Sequence, residues 1–285
     1  MSPSTTLDQL LPCLTSPHHV PLDDGVSVWR ASTLDISSAG VFGGELLGQT
    51  VAIAGGLDPA KMVKSVSAVF PRGVRDTGSL DYHATTMASG SAYATHRIDV
   101  VQPDRNGHPS TAFSAFAMCH QLAPGIEHAR PLPDGAGRPE DAHPLAMGLI
   151  PWDTRVVGST DMNDRRAQPA ELMVWMRVPA ALPDDLVLHQ SLLAYFSDLT
   201  LIGTAILPHE GWSQLDCHVA LRTSVIAHRI VFHRPFRIDE WLLLAQSSPV
   251  ASGGSAYGSG HVFTQAGELV ASVEQESMVR VAEAR

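Results

Sequence analysis

The chain contains 285 residues, which suffices for one large domain or two of ordinary size. Its hydrophobic fraction of 44% is typical of a globular protein with a substantial core. With 19 basic and 29 acidic residues the formal charge is −10, which argues against non-specific nucleic-acid binding because that needs a cationic surface. Lys61 and Lys64 are the two lysines, and neither follows a glycine-rich loop, so a GxxxxGK phosphate-binding loop is excluded.

The three cysteines, Cys13, Cys119 and Cys217, are odd in number and widely spaced. They predict neither a disulfide framework nor a zinc ribbon and favour a reducing compartment. The first residues lack the basic and apolar regions of a secretory signal, and no window approaches the roughly 18 apolar residues of a membrane helix. We therefore expect a cytoplasmic protein without a membrane segment.

The first half alternates helical and strand-like segments. A short amphipathic helix and a loop fill residues 1–24, residues 25–32 alternate like a strand, and residues 39–57 are typical of a buried helix entered through Gly43 and Gly44. Three strand-like runs follow, and an Asn-Gly turn then predicts a β-hairpin. This half is expected to hold one long helix and several antiparallel strands.

A proline- and glycine-rich segment separates the two halves. Five prolines fall between residues 122 and 148, which is typical of a linker or a surface crossover. The predicted organisation is an N-terminal domain over residues 1–121, a linker over 122–168 and a C-terminal domain over 169–285.

The second half contains a longer helical segment, residues 183–199. Asp184 and Asp185 lie at its start, where carboxylates cap free N–H groups and favour the positive end of the helix dipole. Asp198 lies late in the segment, and its carboxylate must be solvated, paired or used. Just beside it runs one apolar stripe at helical spacing, made of Leu188, Leu192, Leu193, Phe196 and Leu199.

The order of elements in the second half repeats that of the first. SGGSAYGSG at residues 252–260 matches SGSAYATH at residues 89–96, and this offset of about 163 residues is too long for a solenoid repeat. Two copies of a whole domain, each with one long helix beside an antiparallel sheet, predict an α+β fold. Within the later strands, His228 and His233 are interpreted as structural residues.

Four motifs carry a resemblance to a known family. They are VFGG-x-x-x-GQ, PDDL-x-x-HQ-x-LL-x-Y-x-SDL, VFHRPF-x-x-x-EWLL and FTQ-x-G-x-LVAS-x-x-QE, in this order along nearly the whole chain. In these motifs the chain resembles the type II acyl-CoA thioesterases. The resemblance implies a double hot-dog fold, in which two long helices are each wrapped by a curved antiparallel β-sheet.

The resemblance also implies hydrolysis of acyl-CoA to a free acid and CoA, with no metal, no cofactor and no covalent acyl-enzyme. The family activates water with an Asp on the second long helix, a Gln on the last strand and a hydroxyl residue on the strand before FHRP. These roles fall on Asp198, Gln275 and Val225. Valine cannot hydrogen-bond water, so the adjacent Ser224 becomes the third catalytic candidate, although only a β-bulge would re-aim it to the face of Val225. Thr223 shares that face but lies further along the strand.

Two other functions stay open at this point. The valine in the hydroxyl position motivates a catalytically weakened paralogue that binds acyl-CoA without turnover. An acyl-CoA hydratase would be a different enzyme on the same fold, although the closely spaced Asp/His pair that it usually needs is missing from the SDL helix. By analogy with the family we expect a homodimer or a higher homo-oligomer.

Overall fold

The structure is a computed structural model, and it describes residues 5–20, 27–34, 40–145, 147 and 150–282. Residues 25, 26 and 39, where a predicted strand and a predicted helix begin, lie outside the described residues. So does the end of the predicted N-terminal loop.

The chain divides into two compact units. The first consists of Met1–Glu127, Met147–Pro151 and Pro183–Phe196, and the second of His128–Ala146, Trp152–Leu182 and Ser197–Arg285. The division does not fall at a single point of the chain, because most of the second long helix groups with the first unit.

The described residues of the first unit form three α-helices and six strands. Its helices are α1 (Leu7–Thr15), α2 (Gly43–Leu57) and α3 (Leu186–Ser197), of which the last residue belongs to the second unit. Its strands are β1 (His18–Val20), β2 (Ser27–Ser32), β3 (Met62–Val69), β4 (Ser79–Ser89), β5 (Tyr93–Pro103) and β6 (Pro109–His120). They pair antiparallel in the order β1-β2-β4-β5-β6-β3. The hairpin predicted at the Asn-Gly pair is confirmed, since Pro103 pairs with Pro109.

In the second unit, the described residues form one short α-helix, α4 (Leu201–Ile206), and an antiparallel sheet. Its strands are β7 (His143–Pro144), β8 (Asp153–Val156), β9 (Glu171–Arg177), β10 (Leu221–Phe232), β11 (Leu242–Ser252), β12 (Ser255–Thr264) and β13 (Leu269–Val281). Their order is β10-β13-β12-β11-β9-β8-β7. The segment predicted as a linker therefore contributes β7 and β8 to this sheet.

Glycines let the two long helices pack closely. A Cβ added to Gly44 of α2 would lie 2.3 Å from the carbonyl oxygen of Tyr195, and one added to Gly48 would lie 2.9 Å from that of Ser191. These two glycines are about one helical turn apart, so they line the same face of α2. The contact explains why Pro183–Phe196 groups with the first unit, although the sequence assigns this helix to the C-terminal domain.

The helix predicted over residues 183–199 is shorter than expected. α3 ends before a three-residue turn, 198–200, and α4 follows that turn. The capping predicted for Asp185 at the start of α3 is confirmed, because Oδ1 of Asp185 accepts a hydrogen bond from the backbone N–H of Val187 at 3.0 Å. Apolar spacing continues through the turn, so periodicity cannot reveal the break. The break is instead stabilised by hydrogen bonds of Thr200 within the second unit.

The segment Leu186–Ile206 is more apolar than the sequence analysis predicts. By length and composition alone it is able to span a membrane, contrary to the expectation from sequence. However, 78% of its apolar window is buried within the protein. A helix that is buried on all sides in a protein core carries apolar residues all round. The burial of this segment therefore accounts for its apolar composition.

A carboxyl group lies in the core of the first unit. Glu45 on α2 is fully buried, and its two carboxyl oxygens lie 3.3 and 3.4 Å from the N–H of Leu34. Burial raises the pKa of Glu45 to about 8. The folded protein therefore favours the neutral acid, whereas an unfolded chain ionises this group near pH 4.5.

Through this group we expect folding stability to fall as the pH rises from 4.5 to about 8, because the unfolded chain releases its proton first. Glu45→Gln removes the proton equilibrium and keeps an acceptor for Leu34. The variant should therefore gain stability relative to the wild type as the pH rises, by about 1.4 kcal/mol for each unit of pKa shift removed. Urea unfolding at the two ends of this pH range measures the difference, with Glu171→Gln at an exposed position as the control. A stability difference that does not change with pH contradicts the assignment of a buried acid.

Candidate functional site

An irregularity in β10 decides which of its side chains face inward. The pairing of β10 with β13 shifts between Val225 and Ala227, which leaves Ile226 as an extra, bulged residue. Thr223 before the bulge and His228 beyond it are both buried. Residues five positions apart could not share a face of a regular strand, because side chains alternate with a period of two. The bulge is therefore what turns His228 inward.

His228 lies directly across the sheet from Gln275 of β13. Both side chains are 2% exposed, and Nδ1 of His228 lies 2.9 Å from Oε1 of Gln275. Because an amide oxygen only accepts hydrogen bonds, the ring carries its proton on Nδ1. Burial lowers the pKa of His228 to about 4, so the ring is neutral at about pH 7.

Hydrogen bonds continue on both sides of this pair. Oγ of Ser197, the last residue of α3, lies 2.9 Å from Nε2 of His228, and the hydroxyl donates because Nε2 bears no proton. On the other side, Nε2 of Gln275 donates to Oγ of Ser277 at 3.0 Å. All four side chains are buried. Together they form the buried polar chain of the second unit, in which the amide of Gln275 is held at both ends.

Asp198 lies in the turn between α3 and α4 and is 5% exposed. The residue before it, Ser197, is bonded to β10 as described above. Two residues after it, Oγ1 of Thr200 donates to Oε1 of Gln246 on β11 at 3.0 Å. Nε2 of Gln246 in turn donates to Oγ1 of Thr204 at 2.5 Å. Hydrogen bonds on both sides therefore hold the turn that carries Asp198 against the sheet of the second unit.

A glycine opposite Gln275 lets α4 approach this sheet. Gly258 of β12 pairs with Gln275. A Cβ added to Gly258 would lie 3.0 Å from Cδ2 of Leu201 and 3.4 Å from the carbonyl oxygen of Ser247. Leu201 is the first residue of α4 and follows Asp198 by three positions. The missing side chain of Gly258 thus allows the helix after the Asp198 turn to rest on the strand beside Gln275.

The structure places the three residues predicted from sequence, Asp198, Gln275 and Ser224, in different surroundings. Gln275 belongs to the buried polar chain, and Asp198 directly follows one of its members. Ser224 does not join the chain: it is exposed and pairs with Met278, on the opposite face of the sheet. The bulge at Ile226 lies after Ser224 and so does not re-aim it inward. A catalytic role of Ser224 stays a prediction.

Three members of the buried polar chain were not predicted as site residues. From sequence, His228 is interpreted as structural, and Ser197 and Ser277 are not singled out. The sequence does carry a faint signal for the serines, because one precedes Asp198 and the other follows Gln275 by two positions, on the same face of a strand. The pairing of His228 has no such signal, since it depends on register and on the bulge.

The first unit has a bulge in the equivalent strand. The pairing of β3 with β6 shifts between Val63 and Ser65, so that Lys64 is the bulged residue. Lys64 and Ile226 are 162 positions apart, which agrees with the offset of about 163 predicted from sequence. The duplication therefore extends to a local irregularity of the backbone.

The side chains around the two bulges differ. Counting along each ladder from the bulge, Val66 and Ala117 occupy the places that His228 and Gln275 occupy in the second unit. Neither of these side chains can form a hydrogen bond. In the first unit the counterpart of the buried polar chain is therefore apolar at these two positions.

A carboxylate also follows the long helix of the first unit. Asp58 comes directly after α2, as Asp198 comes directly after α3. Its Oδ2 lies 2.7 Å from Nζ of Lys61, and both side chains are largely buried. Asp58 is thus part of an ion pair rather than the neighbour of a serine–histidine–amide chain.

Comparisons with known proteins agree with this architecture. A family profile described as acyl-CoA thioesterase matches residues 158–278. The chain is 29% identical over 276 residues to acyl-CoA thioesterase 2 of Haemophilus influenzae, covering 90% of this chain and 93% of the relative. A solved structure of acyl-CoA thioesterase II TesB2 from Mycobacterium marinum is 33% identical, with a TM-score of 0.78 and coverage of 96% of this chain and 99% of that one.

A second solved structure bears on the fold alone. A conserved protein of unknown function with a hot-dog fold, from Alicyclobacillus acidocaldarius, superposes with a TM-score of 0.74 at 15% identity. The match covers 98% of this chain and 100% of that one. The α+β double hot-dog fold predicted from sequence is confirmed.

His228→Ala should destabilise the protein, because the buried hydroxyl of Ser197 and the buried amide oxygen of Gln275 both lose the hydrogen bond that His228 provides. Leaving a buried polar group unsatisfied costs about 1–3 kcal/mol. Urea unfolding measures the loss, and His108→Ala, at an exposed position in the β5–β6 turn, is the matched control. Equal stability of the two variants would contradict the role of His228 in the buried polar chain.

The same variant also carries a pH signature. The folded pKa of His228, about 4, lies below the ordinary value of 6.5 that applies in the unfolded chain. The wild type should therefore lose stability as the pH falls from 6.5 to about 4, since the unfolded chain takes up a proton first. The stability difference between wild type and His228→Ala should shrink over that range.

Proposed function

We propose that this chain, which belongs to the type II acyl-CoA thioesterase family, hydrolyses acyl-CoA thioesters with a water molecule that Asp198 and Gln275 position. The products are a free acid and CoA. The observation that carries the proposal is the pair of hydrogen bonds that joins Ser197, the residue before Asp198, through His228 to Gln275. These bonds support a site in which the buried carboxylate of Asp198 and the buried amide of Gln275 have fixed positions.

The chemistry needs both an activated water and a stabilised oxyanion, because water attacks a thioester only slowly at neutral pH. Asp198 takes a proton from the water as the water oxygen forms a bond to the thioester carbonyl carbon. The carbonyl electron pair moves onto oxygen and gives a tetrahedral oxyanion. When that electron pair returns, the C–S bond breaks, and the proton held by Asp198 passes to the sulfur of CoA.

The hydrogen bonds of Gln275 favour a donor role over an acceptor role. Its Oε1 accepts from His228, and its Nε2 gives one proton to Ser277. Nε2 carries a second proton, and an N–H is what a developing oxyanion or the lone pair of a water requires. The amide therefore presents N–H to the reaction.

Several further expectations belong to this proposal. The substrate is an acyl-CoA, the protein is cytoplasmic, and the chain assembles as a homodimer or higher homo-oligomer. Residues 1–121 and 169–285 are the two duplicated domains, with 122–168 between them. Ser224 keeps its place as a third catalytic candidate from sequence, although its exposed position offers the proposal no support.

Asp198→Asn keeps the shape of the side chain but removes the base, so kcat should fall about 10²–10⁴-fold. Gln275→Ala removes a donor to the oxyanion or water and should lower kcat about 10²–10³-fold. The measurement is release of the free CoA thiol from acyl-CoAs of several chain lengths. Asp134→Asn, an exposed carboxylate of the second unit, is the matched control and should retain wild-type activity.

The assay also separates this proposal from the two alternatives. Wild-type protein that binds acyl-CoA tightly but releases no CoA would identify a binding paralogue. Addition of water to an enoyl-CoA without loss of CoA would identify a hydratase. Full activity of Asp198→Asn would remove the assignment of the base and leave the hydrolase activity in place.

A further inference from the structure

The cross-strand partner of Val225 carries a hydroxyl group. Ser277 of β13 pairs with Val225 of β10, so the two side chains leave the sheet on the same face, with Cβ atoms about 4.5–5.5 Å apart. Ser277 is 3% exposed. Val225 is the position where β10 lacks the hydroxyl that the family resemblance leads one to expect. On the neighbouring strand β13, the residue paired with Val225 is Ser277, which carries a hydroxyl.

We propose that Ser277 is a positioning residue of this site, which supplies from β13 the hydroxyl that β10 lacks at Val225. The inference rests on the proposed function. Ser277 acts through Gln275, because its Oγ accepts a proton of Gln275 Nε2 at 3.0 Å. That bond points one Nε2 proton of Gln275 along β13 towards Ser277. Because the NH₂ group is planar, the direction of the second Nε2 proton is then fixed as well.

The other hydroxyls of β10 do not offer the same contact. Ser224 is exposed on the opposite face of the sheet and pairs with Met278. Thr223 is buried but pairs with Val279, further along the ladder from Gln275. Ser277 is the hydroxyl that the ladder brings beside the amide.

The orientation of the amide depends on Ser277 for a physical reason. A primary amide presents an oxygen on one side and an NH₂ group on the other, and the two ends exchange by rotation. The bond from His228 holds the oxygen, and the bond to Ser277 holds the NH₂ group. Ser277 accepts in this bond and retains its own O–H proton as a donor. Without Ser277, one end of the amide is released and the donor geometry of Gln275 loosens.

The experiment compares Ser277→Ala, Ser277→Thr, and the double variant that combines Ser277→Ala with Val225→Thr. Thiol release from acyl-CoA gives kcat and KM for each, and unfolding midpoints report on the fold. Ser277→Ala should lower kcat about ten- to a hundredfold and leave KM nearly unchanged, because the loss is in alignment rather than in substrate binding. Ser277→Thr should keep most of the activity.

The double variant is the decisive arm. Val225→Thr returns a hydroxyl to β10 directly across from position 277, so it should restore most of the kcat that Ser277→Ala loses. Ser272→Ala is the matched control, since it removes a hydroxyl from the same strand on the opposite face and should leave kcat unchanged. If Ser277→Ala does not fold, Ser277→Cys, with a similar volume and a weaker hydrogen bond, is measured in its place.

Each result bears on the proposal. A fall in kcat for Ser277→Ala that Val225→Thr reverses supports it. Unchanged kcat in Ser277→Ala, or a fall that Val225→Thr does not reverse, overturns it. Loss of activity in Ser224→Ala with full activity in Ser277→Ala overturns it in favour of the hydroxyl on β10. Absence of CoA release by the wild type would instead overturn the proposed function itself.

Discussion

The hydrogen bond between His228 and Gln275 depends on one extra residue in β10. Without the bulge at Ile226, His228 would point to the outer face of the sheet, and the amide of Gln275 would lose its partner. The same imidazole holds Ser197 at the end of α3. A one-residue irregularity thus brings one imidazole into contact with both the amide of Gln275 and the serine that precedes Asp198.

The buried polar chain is stable because it carries no charge. Burial lowers the pKa of His228 to about 4, so the ring is a neutral link that both accepts and donates. A charged imidazole at this depth would need a buried counter-ion, and its desolvation would cost several kcal/mol. Every member of the chain is neutral, so the direction of each hydrogen bond follows from the tautomer of one ring.

A buried amide in the first unit shows what a purely structural glutamine looks like. Nε2 of Gln49 donates to the carbonyl oxygens of Cys13 and Ser32, at 3.0 and 2.7 Å, and its Oε1 accepts from the hydroxyl of Tyr82. Both amide protons are therefore used by the protein. Among the described residues, Ser277 alone accepts from Nε2 of Gln275, so the second proton of this group is the one that the proposed reaction would use. The two amides are equally buried and differ in this one donor.

Duplication and divergence are visible at single residues. Both units keep a bulge at the matching step of the matching strand, because the bulge shapes the curvature of the sheet. The side chains that the bulge turns inward have diverged, with Val66 in one unit and His228 in the other. A shared backbone and different inward side chains are what one expects when only one copy keeps a polar site.

The sequence by itself determined the fold class and the duplication with its offset, and it led to Asp198 and Gln275 as the proposed catalytic pair. These features are visible because helical spacing, strand alternation and long motifs are local properties of a chain. Tertiary structure alone decided that Ser197, His228 and Ser277 join Gln275 in one hydrogen-bonded chain, since their contacts depend on strand register and on a bulge that shifts parity by one residue. It also decided where α3 ends and which unit it packs in, because hydrogen bonds and close helix contacts between distant residues override apolar periodicity.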